Sequence, residues 1–123
     1  MKTIAFDLDD VICWHSPEYD KLGVDKYLYC EPIDSAIDMV NEYFDSGNKV
    51  IIYTARGMNL YRGNLNLIYE NLYDLTYDQL LDWGLKFHRL VMGKISYDVL
   101  IDDKVINSRF ATRERIEKYF DIT

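Results

Sequence analysis

Acidic side chains follow several of the apolar runs in this 123-residue sequence. Asp7 and Asp9 follow the first run, and the adjacent pair Asp102 and Asp103 follows the last. Residues i and i+2 of a strand face the same side, so Asp7 and Asp9 should point together. If all four carboxylates meet, each like-charge pair costs about 4 kcal/mol at about 4 Å and an effective dielectric constant of about 20. A cation is then needed to neutralise them.

The donor types at these positions indicate magnesium. Hard oxygen ligands with few histidines favour Mg²⁺, which binds one or two carboxylates, keeps water ligands and holds a substrate phosphate. Thr54 and Lys94 also follow apolar runs, and their hydroxyl and ammonium groups are suited to bind phosphate oxygens. Arg56 could clamp a phosphate or a second acidic group with two hydrogen bonds, or it could equally be an exposed surface arginine. The competing interpretation is that each acid only solubilises a strand end or caps a helix.

An alternation of strands and helices must position these residues. The apolar runs at 3–6 and 49–53 predict strands that are buried on both faces. Between them, apolar residues spaced three and four apart over 33–44 predict a helix that ends at Gly47.

The second half of the sequence continues the alternation. Residues 57–75 are interpreted as a loop that leads into a helix of uncertain extent, and the capping-box spacing of Thr76 and Gln79 predicts the start of a short helix there. Further patterns predict strands at 87–92 and 97–101 and a helix near 108–120.

Strands separated by helices imply a parallel sheet with right-handed crossovers. The predicted fold is therefore α/β, a single Rossmann-like domain over residues 1–123 with three α/β/α layers and a mostly parallel sheet. Ligands of such sheets bind beyond the carboxyl ends of the strands. The acidic pairs and the other polar candidates are all expected near those ends.

Charge and composition exclude several classes of partner. Twenty-one acidic residues against 14 basic ones give a net charge of −7, which disfavours nucleic acid and anionic membranes as partners. No apolar run has the length of a signal peptide or a membrane span. Cys13 and Cys30 show no CxxC spacing, and the sequence has only two histidines, so reduced thiols in a cytoplasmic protein are expected, without a zinc site.

Four motifs together resemble those of the haloacid dehalogenase superfamily of phosphatases. They are residues 4–12, residues 50–54, Lys94 and residues 99–103, and they occur in the order that the family has. A lone DxD is weak evidence, but four motifs in order near predicted strand ends are specific. The resemblance covers residues 2–103 and implies a fold of this family without a cap domain, because the gaps between motifs leave no room for one.

One position departs from the family pattern. Asp10 stands where the family more often has glycine in a tight bend. Aspartate tolerates turn conformations, so we expect the Asp10 side chain to face solvent.

The resemblance implies a covalent mechanism. Asp7 would attack the phosphorus of a phosphomonoester and form an aspartyl-phosphate, which water then hydrolyses. Asp9 would protonate the leaving oxygen and later activate the water. An acid at this second position is typical of the phosphatases in the family, whereas the dehalogenases need none.

The same resemblance implies how the cofactor and the phosphate are held. Mg²⁺ would bind Asp7, the main-chain carbonyl of Asp9, and either Asp102 or Asp103, with Asp102 favoured as the direct ligand. Thr54 and Lys94 would hold the phosphoryl oxygens.

A narrower likeness suggests the substrate. Residues 53–58, the Gly63-Asn64 pair and residues 101–104 are similar to those of small capless members linked to surface-polysaccharide biosynthesis. This implies a small phosphorylated substrate, a sugar phosphate first and a nucleotide or nucleic-acid end phosphate second. The open site of a capless member either accepts a large substrate or is closed by a second copy of the chain in a homo-oligomer.

Two functions without turnover compete with the phosphatase. A receiver-like signalling domain also gathers acids, a threonine and a lysine around Mg²⁺ on a parallel sheet. A chain that binds phosphate or a partner protein but does not hydrolyse it would carry the same residues.

Overall fold

The computed structural model describes residues 1–122 and consists of short strands and helices in alternation. The strands are β1 (Thr3–Phe6), β2 (Cys13–Trp14), β3 (Glu31–Pro32), β4 (Lys49–Thr54) and β5 (Arg89–Met92). The α-helices are α1 (Asp34–Asp45), α2 (Leu65–Ile68), α3 (Asp74–Asp82) and α4 (Arg113–Phe120). Two 3₁₀ segments cover Pro17–Tyr29 and Ser108–Phe110, and a π-helical segment, Tyr69–Tyr73, joins α2 to α3.

A parallel sheet in the order β1-β4-β5 organises the fold. Phe6 lies opposite Ile52, and Thr54 lies opposite Met92. The central strand β4 is the most buried, but its burial alternates: Val50, Ile52 and Thr54 are buried, whereas Tyr53 is 38% exposed. The prediction that β1 and β4 are buried on both faces is therefore wrong, because only one face of each strand packs fully against the core. The prediction of an α/β fold with a parallel sheet is nevertheless confirmed, and the arrangement is compatible with a Rossmann-like domain.

The first crossover contains a small antiparallel hairpin in addition to α1. Strands β2 and β3 pair with Cys13 opposite Pro32, and the 3₁₀ segment Pro17–Tyr29 forms the excursion between them. Asp10 starts this crossover in a left-handed conformation, with φ of +67°, and its side chain is exposed as predicted. Glycine adopts a left-handed bend with the least strain, and aspartate is among the few other residues that tolerate it.

Residues 65–82 form one helical run, α2 through α3, and this overturns two predictions. The loop predicted over 57–75 ends at Asn64, because helix begins at Leu65. Asn64 caps the run, and its side-chain oxygen accepts a hydrogen bond from the Leu67 amide at 3.2 Å.

Thr76 and Gln79 therefore lie inside a helix, so the predicted capping box is wrong. The Thr76 hydroxyl and Gln79 Oε1 instead accept hydrogen bonds from Arg56, and Gln79 Nε2 donates one to the Tyr27 carbonyl.

The predicted strand at 97–101 is not formed. Val99 is 74% exposed and Ile101 is 93% exposed, and within residues 1–122 strand β1 pairs with β4 alone. Apolar content can indicate a strand, but it does not provide the neighbouring edge on which the strand must pair. One edge of β1 thus stays open.

The hydrophobic core connects the sheet to the helices. Its fully buried members include residues from the loop after β1, from α1 and from the helical run, namely Leu8, Ile12, Val40, Ile68, Leu72 and Leu80. In the part of the chain that the structure describes, no helix is both long enough and apolar enough to cross a membrane.

Candidate functional site

Three of the predicted site residues lie at one edge of the sheet. Asp7 directly follows β1, Thr54 ends β4, and Lys94 lies two residues beyond β5. Because these strands are parallel, their carboxyl ends share an edge. This is the edge where ligands of open α/β sheets bind.

Asp7 and Lys94 form an ion pair at this edge. Lys94 Nζ lies 3.1 Å from Asp7 Oδ2, and the other carboxylate oxygen accepts a hydrogen bond from the Leu8 amide at 2.8 Å. Burial opposes the ammonium charge, but hydrogen bonds to Asp7 and Tyr97 outweigh it and raise the pKa of Lys94. The Asp7 side chain is still 37% exposed, so a carboxylate with a cation beside it faces solvent.

Thr54 connects the end of β4 to the loop that carries Lys94. Its carbonyl oxygen accepts a hydrogen bond from the Lys94 amide at 3.1 Å, and its hydroxyl oxygen accepts one from the Arg56 amide at 3.1 Å. Thr54 is only 1% exposed. Its contacts therefore support the geometry of the edge, and its predicted contact with phosphate stays a prediction.

Asp9 is held by Arg56. The guanidinium donates from Nε to both carboxylate oxygens, at 3.2 and 3.0 Å, and from Nη2 to Oδ1 at 3.0 Å. Arg56 Cζ also lies 4.7 Å from the centre of the Tyr27 ring, over its face. The pair joins the loop after β1 to the loop after β4.

Every N–H donor of the Arg56 guanidinium has an acceptor. Besides the bonds to Asp9, Nη1 donates to the Thr76 hydroxyl at 3.2 Å and to Gln79 Oε1 at 2.8 Å, and Nη2 contacts Cys13 Sγ at 3.6 Å. The side chain is fully buried, so the interpretation of Arg56 as an exposed surface residue is wrong. A phosphate could bind Arg56 only by displacing one of these acceptors.

Asp102 and Asp103 are exposed and lie outside any strand. Asp102 Oδ1 accepts a hydrogen bond from the Lys104 amide at 3.1 Å, and this bond lowers the pKa of Asp102. They form no metal-binding group with Asp7 and Asp9 within residues 1–122. The predicted convergence of four carboxylates is therefore not present in this structure, because the strand that should deliver the last two is not formed.

Three other side chains of types that can bind metal, Asp9, Cys13 and Cys30, lie close together. Asp9 Oδ1 lies 3.4 Å from Cys13 Sγ and 3.7 Å from Cys30 Sγ, and both thiols are free and buried. The hydrogen bond between the two thiols lowers the pKa of Cys30 to about 7 and raises that of Cys13. Sequence reasoning missed this cluster, since the cysteines are 17 positions apart and only the pairing of β2 with β3 brings them together.

Two surface cavities lie away from the Asp7 edge. One of about 430 Å³ opens beside the β2–β3 hairpin, and its lining includes Trp14, His15, Tyr19, Tyr29, Cys30 and Glu31. The other, of about 540 Å³, lies against α4 and includes Asp103, Phe110 and Tyr119. The lining of neither cavity contains Asp7, Thr54 or Lys94.

Comparison with known proteins supports the fold alone. No family model matches the sequence, and no curated protein matches it. A crystal structure of a structural-genomics target from Vibrio cholerae superposes with a TM-score of 0.80 at 24% sequence identity, over 98% of this chain and 98% of that one. That structure carries no functional name, and at this identity the likeness defines the class of fold, a small α/β domain, and not an activity.

Proposed function

We propose that this protein is a magnesium-dependent phosphomonoester hydrolase of the haloacid dehalogenase type, with Asp7 as its nucleophile. The observation that carries the proposal is the partly exposed Asp7 carboxylate beside Lys94, at the edge of a parallel sheet where ligands bind. The order of the four sequence motifs supports the same conclusion.

Asp7 has the contacts that a nucleophile needs in this reaction. The Leu8 amide holds Oδ1, which fixes the carboxylate, while Lys94 neutralises charge next to Oδ2. An incoming phosphate dianion would otherwise be repelled by the carboxylate. Attack on phosphorus breaks the ester bond, and the leaving oxygen takes a proton as the aspartyl-phosphate forms.

Asp9 is the candidate for that proton transfer. Both of its oxygens accept from Arg56, and its side chain is 26% exposed. The Arg56 contacts orient the carboxylate, but proton transfer through Asp9 requires one oxygen to leave the pair. The proposed mechanism therefore includes an opening of the Asp9–Arg56 contact during turnover.

Two of the proposed ligands suit Mg²⁺ by their chemistry. Asp7 would supply a carboxylate oxygen and Asp9 its main-chain carbonyl, both hard donors of the kind that Mg²⁺ prefers. Bound there, Mg²⁺ would weaken the repulsion between Asp7 and the phosphate. Asp102 or Asp103 would complete the ligand set only after residues 97–103 approach β1.

The proposed substrate is a small phosphorylated molecule such as a sugar phosphate.

One observation favours a second function. The bonds of Arg56 to both oxygens of Asp9 make that carboxylate less available as an acid or base. A chain that is phosphorylated on Asp7, or that binds phosphate, without releasing it in turnover would need no such group. The alternative is thus a receiver-like or phosphate-binding module.

The test is hydrolysis of p-nitrophenyl phosphate, sugar phosphates and nucleotides, with Mg²⁺ and with a chelator. We expect Mg²⁺-dependent turnover, and a loss of more than about 1,000-fold in Asp7→Asn because the nucleophile is gone. Asp10→Asn is the matched control, since it removes an exposed acid from the same loop and asparagine also tolerates the left-handed bend. Full activity in Asp7→Asn would exclude Asp7 as nucleophile, and a long-lived phosphate adduct on Asp7 without turnover would favour the receiver-like module.

A further inference from the structure

We propose that Asp9, Cys13, Cys30 and His15 form a binding site for Zn²⁺ or a divalent transition-metal ion of similar ligand preference. The first three donors lie within 4.8 Å of one another and belong to separate parts of the chain, the loop after β1, strand β2 and the residue before β3. Two thiols, a carboxylate and an imidazole are the donor types of tetrahedral zinc sites. This site would differ from the magnesium site in its donors, because sulfur ligands select soft metals.

The distances within the cluster match those of a tetrahedral site. Zinc–sulfur bonds of about 2.3 Å and zinc–oxygen bonds of about 2.1 Å place neighbouring ligand atoms about 3.6 Å apart. The two sulfur atoms lie 3.4 and 3.7 Å from Asp9 Oδ1. Both distances are those expected between neighbouring ligand atoms of one ion, and the two sulfur atoms also lie within 4.8 Å of each other.

His15 has the environment of a metal-binding histidine. Its Nδ1 lies 3.8 Å from Cys30 Sγ, and its Nε2 lies 2.7 Å from Asp20 Oδ1. A histidine that binds metal through one ring nitrogen usually donates from the other to a carboxylate, which fixes the ring and its tautomer. His15 is outside the tight three-atom group, so its ring would turn toward the other donors when the metal binds.

Arg56 balances the charge of the filled site. When the metal binds, two S–H bonds break, two metal–sulfur bonds form and two protons leave to solvent. Two thiolates and one carboxylate then face a divalent ion and one guanidinium, and the charges cancel. Arg56 already contacts Asp9 and Cys13, and its Nε bond to Asp9 Oδ2 at 3.0 Å can persist while the metal replaces the Nη2 bond to Oδ1.

The site is reachable from solvent. Cys30 and His15 both line the cavity of about 430 Å³ beside the hairpin. Cys13 and Asp9 lie behind them, toward Arg56. An ion that enters this cavity meets the sulfur and imidazole ligands first, and this gives the site an entry path.

The proposed function would make this site inhibitory. A metal on Asp9 Oδ1 would prevent Asp9 from transferring protons, so zinc should lower phosphatase turnover. This consequence rests on the proposed function, whereas metal binding itself does not.

Cobalt absorption tests the binding directly, because Co²⁺ bound to thiolates absorbs strongly and Zn²⁺ is silent. Full-length protein kept reduced with a phosphine is titrated with Co²⁺, and we expect a thiolate charge-transfer band that saturates at one equivalent and is removed by Zn²⁺. Cys30→Ser should abolish the band. Absence of a saturating band in the wild-type protein, or an unchanged band in Cys30→Ser, overturns the proposal.

A second variant at an exposed residue tests the site even if Cys30→Ser does not fold. Asp20→Asn removes the carboxylate behind His15 and should weaken Co²⁺ binding about 10-fold or more. Asp25→Asn is the matched control, an exposed acid in the same 3₁₀ segment without a contact to the cluster. Equal Co²⁺ affinities in the two variants would remove His15 from the ligand set and contradict the four-residue site. These readouts need no enzyme activity, so they remain informative if no phosphatase activity is found.

Discussion

Arg56 is the largest side chain that is fully buried in the part of the chain described by the structure. A buried guanidinium is tolerated only when its charge and its donors are satisfied. Asp9 supplies the opposite charge, while Thr76, Gln79 and Cys13 accept the remaining hydrogen bonds. Removing either charge would leave the other poorly solvated.

We expect Arg56→Met to lower the free energy of unfolding by about 3–5 kcal/mol, because Asp9 loses its ion partner in a mostly buried position. Arg113→Met is the matched control. Arg113 pairs with Glu42 on the surface, where both side chains are 52% exposed, and its loss should cost less than about 1 kcal/mol. Urea unfolding of both variants measures the difference, and equal losses would show that the Arg56 pair is not a major source of stability.

Residues differ in how far the sequence predicts their roles. Asp7 and Lys94 could be placed at one edge because each directly follows an apolar run, and the structure pairs them. The burial of Arg56 could not be foreseen, since its acceptors Thr76 and Gln79 come some 20 positions later and carry a pattern that resembles a helix cap. Contacts between distant segments have no local signal in one sequence.

At the scale of elements, Gly57 allows the helical run to approach the end of β4. Its φ is +79°, and a Cβ atom there would lie 2.6 Å from Leu72 Cδ1 and 3.3 Å from Ile68 Cγ1. Its amide also donates a hydrogen bond to the Tyr27 hydroxyl at 3.0 Å. The position requires a residue without a side chain for both conformational and steric reasons.

Gly57→Ala should therefore destabilise the protein by about 2–5 kcal/mol, from backbone strain together with overpacking against Leu72. Gly47→Ala separates the two effects. Gly47 also has a positive φ, of +92°, but nothing lies within 4 Å of the point that an alanine Cβ would occupy, so only the strain of about 1–2 kcal/mol should appear. Thermal unfolding compares the variants, and a Gly57→Ala loss no larger than that of Gly47→Ala would contradict the steric part.

Elements with a strong local pattern were predicted correctly. Strands β1, β4 and β5 and helix α1 each have an apolar run or a three-and-four spacing of their own, and the structure contains them with small shifts at the ends. The segment at 97–101 has the same apolar character but lacks a partner in the structure. Strand formation depends on that partner, which is why this prediction was wrong.

At the scale of the whole molecule, the open edge of β1 could pair with the exposed stretch at 97–103, which contains several apolar residues. An unpaired strand edge is a place where another strand can add, and Val99 and Ile101 are exposed enough to do so. Pairing there would also carry Asp102 and Asp103 toward Asp7, as the proposed magnesium site requires. The added strand could come from the same chain or from a second copy.

We expect amide hydrogen exchange at 97–103 to slow by about 10-fold or more when Mg²⁺ and inorganic phosphate are added, because paired amides are protected. The exposed turn at 59–63 serves as an internal reference whose exchange should not change. Sedimentation under the same conditions tells an intramolecular strand from one supplied by a second copy. Fast exchange at 97–103 in an enzyme that is active with Mg²⁺ would show that Asp102 and Asp103 are not needed as ligands.

The contacts of Tyr27 hold the chain close to the cavity beside the hairpin. Its carbonyl accepts a hydrogen bond from Gln79, its hydroxyl accepts one from Gly57, and its ring lies under Arg56, so the last part of the excursion, just before β3, is joined to the helical run and to the loop after β4. These contacts hold the backbone three residues before Cys30, at one side of the cavity. A metal ion with six waters occupies about 180 Å³ at about 30 Å³ per water, which is less than the cavity volume of about 430 Å³, so the ion can come up to Cys30 with its water shell intact.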